Sequence, residues 1–406
     1  MSIEKNRTTS EIGIIPSDWC FKKLGDLFEI TSSKRVYQRE WKSIGIPFYR
    51  ARELAVLSET GTVNNELFID EELFDAYRVE YGVPQVGDLL VTGVGTLGKM
   101  YVVSDERKLY FKDGNIIWFK NFGKVNPFFL KQLFLTNTII KQIEDGSAGT
   151  TVGTYTITGA KKTIIPYPPL PEQEAIAEVF SDLDALIAAQ EELIVKKRLI
   201  KQGVMHELLT GKRRLSGFEE EWKEVKLFDC GTVIMGQSPP GNSYNFEGKG
   251  LPLLNGAADL RENEILVNQY TTMPTKVCQK GDLLFCIRAT IGNLHIADRE
   301  YCLGRGVAAL RVSSQFNQEF LSIQLQGQFG YMREQSEGGV IKGLKKEELL
   351  NLKIKIPNSN DEQSVIAEVI GNLSLELTLL DKLLSKFWAI KQGMMQELLT
   401  GKIRLI

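Results

Sequence analysis

Histidine is almost missing from this chain of 406 residues, with two against five cysteines, and neither type is arranged for chemistry. His206 and His295 stand alone, and a repeat of the segment around His206 carries Gln396 in its place, so a histidine-based metal site or triad is not expected. The cysteines (Cys20, Cys230, Cys278, Cys286, Cys302) are odd in number with no Cys-x-x-Cys pair, which argues for reduced thiols and a cytoplasmic protein. No run approaches about 18 apolar residues, so no membrane span is expected. The opening MSIEKNRTTSEIG has no apolar stretch of a secretory signal. Neither sign of charge dominates: 49 Lys+Arg against 51 Asp+Glu exclude a uniformly positive coat and leave any nucleic-acid binding to local clusters. Asn-Pro-Pro-Tyr and Asp-Pro-Pro-Tyr are absent, so the chain is not expected to methylate adenine itself, and its carboxylates form no recognisable nuclease cluster.

The remaining composition, 43% hydrophobic and 25% charged, is that of a globular protein, and the length suits two or three domains. An internal repeat decides how they are organised. Glu172-Gln-Glu-Ala-Ile-Ala-Glu-Val179 recurs as Glu362-Gln-Ser-Val-Ile-Ala-Glu-Val369, and Lys201-Gln-Gly-Val-Met-His-Glu-Leu-Leu-Thr-Gly-Lys212 recurs as Lys391-Gln-Gly-Met-Met-Gln-Glu-Leu-Leu-Thr-Gly-Lys402. Both pairs are offset by 190 positions, and about half of residues 172–215 are identical to 362–405. Upstream of each lies a region whose two copies agree only in scattered places: Trp19 with Trp222, Gly87-Asp-Leu-Leu90 with Gly281-Asp-Leu-Leu284, Thr96-Leu-Gly98 with Thr290-Ile-Gly292, Ile165-Pro166 with Ile356-Pro357. The plan is a variable domain (1–168), a constant helix (169–212), a second variable domain (213–357) and a second constant helix (358–406).

The constant segments read as helices that start near Pro171 and within Asn358–Asp361 and stop at Gly211 and Gly401. Apolar residues recur near every 3.5 positions, and the expected helix-pairing and partner-docking residues are Ile176, Val179, Leu183, Leu193 and Ile200 in the first, and Ile366, Val369, Leu373, Leu380 and Phe387 in the second. Roughly 38 residues at 1.5 Å each make rods of about 57 Å. Each rod is acidic early and basic late, so antiparallel packing sets opposite charges together and is the expected arrangement. The variable domains read as short strands, among them Asp88–Thr92, Met100–Val103, Asn115–Phe119 and Asp282–Ile287, with helices over Phe128–Ile143 and Asn317–Met332. The fold class expected is α+β: two mixed α/β domains separated by two long helices in an antiparallel coiled coil, with a pseudo-twofold internal repeat.

Gly93-Val-Gly-Thr-Leu-Gly-Lys-Met100 matches G-x-G-x-x-G, but Met100-Tyr-Val-Val103 reads as a strand rather than the helix a phosphate site needs, and Met100 stands where a Mg²⁺-binding hydroxyl belongs. A tight turn between two strands is expected. The remaining chemistry lies in basic, aromatic and amide-rich loops. Arginine pairs with guanine, glutamine or asparagine with adenine, and lysine with phosphate. Candidate DNA-binding residues are Lys34, Arg35, Tyr37, Arg39, Arg50, Arg52, Thr96, Lys99, Thr151 and Thr154 in the first domain. In the second they are Gln237, Ser238, Asn242, Tyr244, Asn255, Arg288, Thr290, Arg305 and Lys342. The bland alternative is solvated loops and glycine turns.

Two variable domains alternating with two near-identical helices, each opening on Pro171-Glu-Gln173 or Asp361-Glu-Gln363 and closing on Glu-Leu-Leu-Thr-Gly-Lys, resemble the specificity subunit of type I restriction-modification systems. The resemblance covers essentially the whole chain; the departure from it is Asn358-Ser-Asn360, where the first copy has Pro168-Pro-Leu-Pro171. It implies that each variable region is a target recognition domain reading one half of a split, asymmetric double-stranded DNA sequence, so that the chain is a non-catalytic subunit. It implies that the helices space the domains and dock two methyltransferase subunits, with motor-nuclease subunits joining. No cofactor is then expected here, S-adenosylmethionine, ATP and Mg belonging to the partners. Readers on one face of DNA sit about one helical turn apart, near 34 Å. A methyltransferase or helicase-like enzyme and a scaffold on a paired-helix stalk are the other classes weighed.

Overall fold

The repeat in sequence is a repeat in architecture. The computed structural model describes residues 7–10, 13–64, 67–147, 153–261, 264–288, 291–335 and 343–405. The chain forms two units, Met1–Glu192 with Lys382–Ile406, and Leu193–Asp381. Each therefore holds one variable domain together with the first part of the helix that follows it and the last part of the other helix.

In the first unit the principal elements are β1 (Cys20–Lys23), β2 (Glu29–Thr31), β3 (Ile46–Tyr49), α1 (Ala51–Thr60), β4 (Phe68–Ile69), α2 (Glu71–Glu80), β5 (Leu89–Thr92), β6 (Met100–Val102), β7 (Tyr110–Phe111), β8 (Ile116–Lys120), α3 (Pro127–Leu133), α4 (Asn137–Ser147), β9 (Ile164–Tyr167) and α5 (Leu170–Thr210). Strands β2-β8-β5-β6 form an antiparallel sheet, with Trp118 opposite both Thr31 and Leu90. A smaller sheet orders β4-β3-β7, in which β3 runs parallel to β7 with Tyr49 opposite Phe111. Strands β1 and β9 pair on their own.

The second unit continues with β10 (Lys223–Lys226), β11 (Gly231–Met235), β12 (Leu251–Leu254), β13 (Gln269–Thr271), β14 (Leu283–Cys286), β15 (Gly292–Ile296), β16 (Tyr301–Leu303), β17 (Val307–Val312), α6 (Gln318–Gln335), β18 (Lys353–Ile356) and α7 (Asn360–Leu398). The plan is the same: a β11-β17-β14-β15 antiparallel sheet, a second sheet in which β12 runs parallel to β16 with Leu254 opposite Leu303, and a separate β10–β18 pair.

The scattered identities hold this plan in place. In Gly-Asp-Leu-Leu the two leucines are fully buried in the central strand, and the aspartate ties its entry down. Asp88 accepts from Trp118 Nε1 (2.8 Å) and the Gln85 and Asn121 amides (2.9 Å each), and Asp282 accepts from Arg311 Nε (2.9 Å) and the Gln279 amide (2.8 Å). Gly87 and Gly281 adopt φ of 93° and 92°, a region that favours glycine. The turn expected over residues 93–99 joins β5 to β6 as a hairpin, with no helix at its last glycine. Phe128–Ile143 is two helices rather than one: Thr136 breaks the run, its Oγ1 donating to the Leu133 carbonyl (2.6 Å) while its own carbonyl accepts the first amides of α4.

Each unit is closed by two helix segments running antiparallel. In the first, Asp184 of α5 meets Lys391 of α7 (2.5 Å); in the second, Lys197 meets Glu376 (2.6 Å) and Arg198 meets Asp381 (3.1 Å). The buried line on α5 passes through Phe180, Ile187, Ile194 and Leu208, and on α7 through Ile370, Leu377, Lys391 and Leu398, all at multiples of seven. Ile176 and Ile366 are buried, each in the core of its own unit, and Val179, Leu183, Val369, Leu373, Leu380 and Phe387 are half-buried. Leu193 and Ile200 of the expected pairing and docking set are 39% and 51% exposed and lie one position off the buried line, on the outer face rather than in the seam. With them on the outer face stand Leu186, Val195 and Leu199 of α5 and Leu375, Leu379, Leu383, Trp388 and Ile390 of α7.

Candidate nucleic-acid interface

At one end of the antiparallel sheet in each unit the same four chain segments meet. They are the loop leaving the first sheet strand (β2 or β11), the residues after β3 or β12, the turn between β7 and β8 or between β16 and β17, and the residues after β5 or β14.

In the first unit Ser32 Oγ donates to the Ile116 carbonyl (2.8 Å), Ser33 Oγ to the Phe111 carbonyl (2.6 Å), and the Lys34 amide to Tyr110 Oη (3.0 Å). Burial pushes the Tyr110 phenol above its ordinary range, so it stays neutral and anchors the loop. Arg35 Nε pairs with Asp113 (2.9 Å), which raises the guanidinium pKa. Lys34 Nζ lies 4.7 Å from the Tyr81 ring centre and the Arg39 guanidinium 5.2 Å from that of Tyr37. Arg50 turns inward, its Nε and Nη2 meeting both oxygens of Glu53 (3.0 and 2.6 Å), and Arg52 Nε meets Glu53 Oε1 (3.1 Å). Burial raises the Glu53 carboxyl, but these arginine bonds together with a backbone bond outweigh it and hold the group below the usual range. Arg50 thus serves as a clamp on the start of α1, while the Arg52 side chain is 71% exposed.

The second unit builds its corner from amides and close backbone contacts. The Gln237 amide donates to the Leu303 carbonyl (2.8 Å) and Ser238 Oγ accepts from Arg305 Nε (3.0 Å). Asn255 Nδ2 donates to Gln269 Oε1 (3.1 Å), and the Asn255 amide is held by Asp259 (2.7 Å). A Cβ on Gly236 would sit 2.1 Å from the Gly304 carbonyl, and one on Gly304 2.5 Å from Asn255 Oδ1, so the loops close only over glycine. The Ile287 amide donates to the Gly306 carbonyl (2.9 Å), which sets exposed Arg288 just beyond the corner; Asn242 and half-buried Tyr244 continue the Gln237 loop.

Not every candidate gathers there. Thr92 Oγ1 donates to the Thr96 carbonyl inside the β5–β6 hairpin, and Lys99 pairs with Glu59 in a cleft also lined by Asp184 and Trp388. Thr154, by contrast, precedes Tyr155, whose amide donates to the carbonyl of Gly93 just after β5 (2.9 Å), which brings it beside the corner. Thr151, Thr290 and Lys342 lie outside the described residues. Gln269 and Asp259 escape sequence reading because their place in the corner comes from tertiary contact, not spacing.

The duplicated Glu-Gln is a latch between helix and domain. Glu172, fully buried, accepts from Trp19 Nε1 (2.8 Å) and from Arg404 Nε and Nη2 (the latter at 2.7 Å), and Arg404 also grips Asp18 (2.7 Å), holding that carboxyl below its usual range. Glu362 accepts from Trp222 Nε1 (3.2 Å) and from Arg214 Nε and Nη2 (2.8 and 2.9 Å). Gln173 holds the residue that caps α3 by accepting the Asn126 amide (2.9 Å) and donates to the Pro168 carbonyl (2.8 Å); Gln363 makes the matching bonds with Asn317 (2.9 Å) before α6 and with Pro357 (3.0 Å).

This arrangement, two related mixed domains each latched to paired helices, is the architecture of a DNA specificity subunit. The model of the type I restriction modification DNA specificity domain matches residues 16–196 and again 219–386, and the chain belongs to that family. It is 29% identical over 431 aligned residues to a protein of Methanocaldococcus jannaschii provisionally named type I restriction enzyme MjaX specificity subunit, covering 99% of this chain and 97% of that one. Its fold is similar to the crystal structure of the HsdS subunit from Thermoanaerobacter tengcongensis (TM-score 0.55, 22% identity, 96% and 98% of the two chains). It is similar also to that of the type I restriction-modification S subunit from M. genitalium (TM-score 0.58, 16% identity, 98% of each). Among the described residues no helix is long and apolar enough to cross a membrane, and no three His, Cys, Asp or Glu side chains gather as metal ligands.

Proposed function

We propose that the chain supplies the address of a type I restriction-modification complex and none of its bond-making chemistry. Each domain reads one half of a bipartite, asymmetric target in double-stranded DNA through its four-segment corner. The observation that carries this reading is that the corner occurs twice on one backbone plan with different contents: cations, aromatics and Ser-backbone anchors around Arg35 and Arg52, amides and glycines around Asn255. One scaffold with two chemistries suits two different half-sites. The paired helices set the half-site spacing, and their exposed leucines, with Trp388 and Ile390, offer the apolar faces on which two methyltransferase subunits dock. Motor-nuclease subunits join that assembly in the cytoplasm, and S-adenosylmethionine, ATP and Mg²⁺ are bound by the partners. A base-resolution methyladenine map of the source cell with and without the gene tests this reading. The expected result is loss of one bipartite asymmetric motif. If co-expression with the methyltransferase partner also produces no such motif, the proposal falls.

A further inference from the structure

The amide pair in the second unit is already half-committed, and the uncommitted half has the pattern of one base. Asn255 is fixed on three sides: its backbone amide bonds Asp259, its carbonyl accepts the Gly306 amide (3.1 Å), and its Oδ1 faces Gly304, where any side chain would collide. Its Nδ2 donates to Gln269 Oε1, so in this arrangement the Gln269 oxygen faces Asn255 and its Nε2 is the other end of the amide. Gln269 extends from β13, opposite Leu253 of β12, and is half-buried at the open edge of the corner. Its Nε2 has no partner among the described residues, and Oε1 keeps a second lone pair. A donor and an acceptor side by side on one rigid amide match the N7 acceptor and N6 donor that adenine presents in the major groove. The corresponding corner of the first unit has Arg50 bound to Glu53 after β3 instead.

We propose that Gln269 reads an adenine in the half-site taken by the second domain, with Asn255 as the positioning residue that holds its amide. This rests on the function proposed above. The test expresses the full chain with its methyltransferase partner in a host lacking both and reads adenine methylation at base resolution. The wild-type motif is expected to hold an adenine, on one strand, at a position that Gln269→Ala relaxes by about 5- to 150-fold in discrimination, while the other positions stay unchanged. Gln269→Glu is the control for folding, since it keeps an acceptor for Asn255 Nδ2 while replacing the other donor by a second, negatively charged acceptor. It is expected to shift that one position toward cytosine, whose N4 donates. Should Gln269→Ala abolish methylation altogether, the Glu variant decides. Wild-type base preference in Gln269→Glu at every position overturns the adenine assignment alone, whereas absence of any bipartite motif with the wild-type chain overturns the function on which it rests.

Discussion

Removing Arg404 should loosen the first unit by an amount that its surroundings set. The Glu172 carboxylate is fully buried, and once the guanidinium is gone its side chain keeps only the Trp19 indole among its described partners. Stranding one member of a buried pair costs about 3–5 kcal/mol. Arg404 is 30% exposed, so water reaches part of the site and the low end, about 3 kcal/mol, applies. The half-exposed Asp18 contact adds under about 1 kcal/mol. At about 2–4 °C per kcal/mol for a unit of this size, Arg404→Ala should lower its unfolding midpoint by about 6–12 °C. Scanning calorimetry reads this, and Arg214→Ala should move the second unit's transition comparably, since Glu362 is 1% exposed. Pairing Arg404→Leu with Glu172→Leu should recover much of the loss, because the penalty comes from the orphaned charge. A shift below about 2 °C for Arg404→Ala, or no recovery in the double variant, would refute the account of the latch.

Arg52→Ala should alter recognition of the first half-site with a smaller loss of stability than Arg50→Ala, which removes two bonds to Glu53, read by methylome and melting together; identical behaviour of the two would contradict their assigned roles. Because the Glu53 carboxyl lies below its ordinary value in the fold, its stabilisation is present above the unfolded pKa of about 4.3 and is lost as pH falls through the depressed value. Glu53→Gln should therefore flatten the acid limb of midpoint against pH below about 4, and an unchanged limb would count against the Arg50 clamp. Ile194→Ala, in the seam at 3% exposure, should cost about 2–5 kcal/mol, whereas Leu199→Ala, 63% exposed, should leave stability within about 0.5 kcal/mol and weaken methyltransferase retention on a column. Burial pushes the thiols of Cys230, Cys278 and Cys286 up to about 12, 11 and 12, and Cys302 is fully buried, so alkylation of the native chain at pH 8 should modify exposed Cys20 alone; mass spectrometry showing further adducts would disprove the packing of these thiols.

Much of this organisation was legible in the sequence because a gapless 190-residue offset demands two copies of one unit, and because opposed charge gradients leave one direction for helix pairing. The seam was less so. Leu186, Leu193 and Ile200 continue a 3.5-residue rhythm as regularly as Ile187, Ile194 and Lys201, and the buried line carries the polar Gln190, so hydrophobicity alone does not separate the seam from the outer face. The corners were half legible: Arg35, Asn255 and Arg305 stand out as residue types. That Arg50 is spent on Glu53, that Lys99 lies in a different cleft, and that Gln269 joins Asn255 are consequences of strands meeting across long stretches of chain. Glu172 and Gln173 were conspicuous as a duplicated motif, but their partners Trp19 and Arg404 lie 153 and 232 residues away.

The latch also orders synthesis. Everything that makes up Leu193–Asp381 has been translated before the ribosome reaches residue 382, whereas the first unit needs Lys391 and Arg404. At about 5–20 residues per second the stretch after residue 381 takes a few seconds to add, so the counter-ion of Glu172 is among the last residues made, whereas Arg214 and Glu362 are both made before residue 382. The part of the chain made first is thus the part finished last, and a premature stop beyond residue 381 should injure the N-terminal domain while sparing the one next to the lesion.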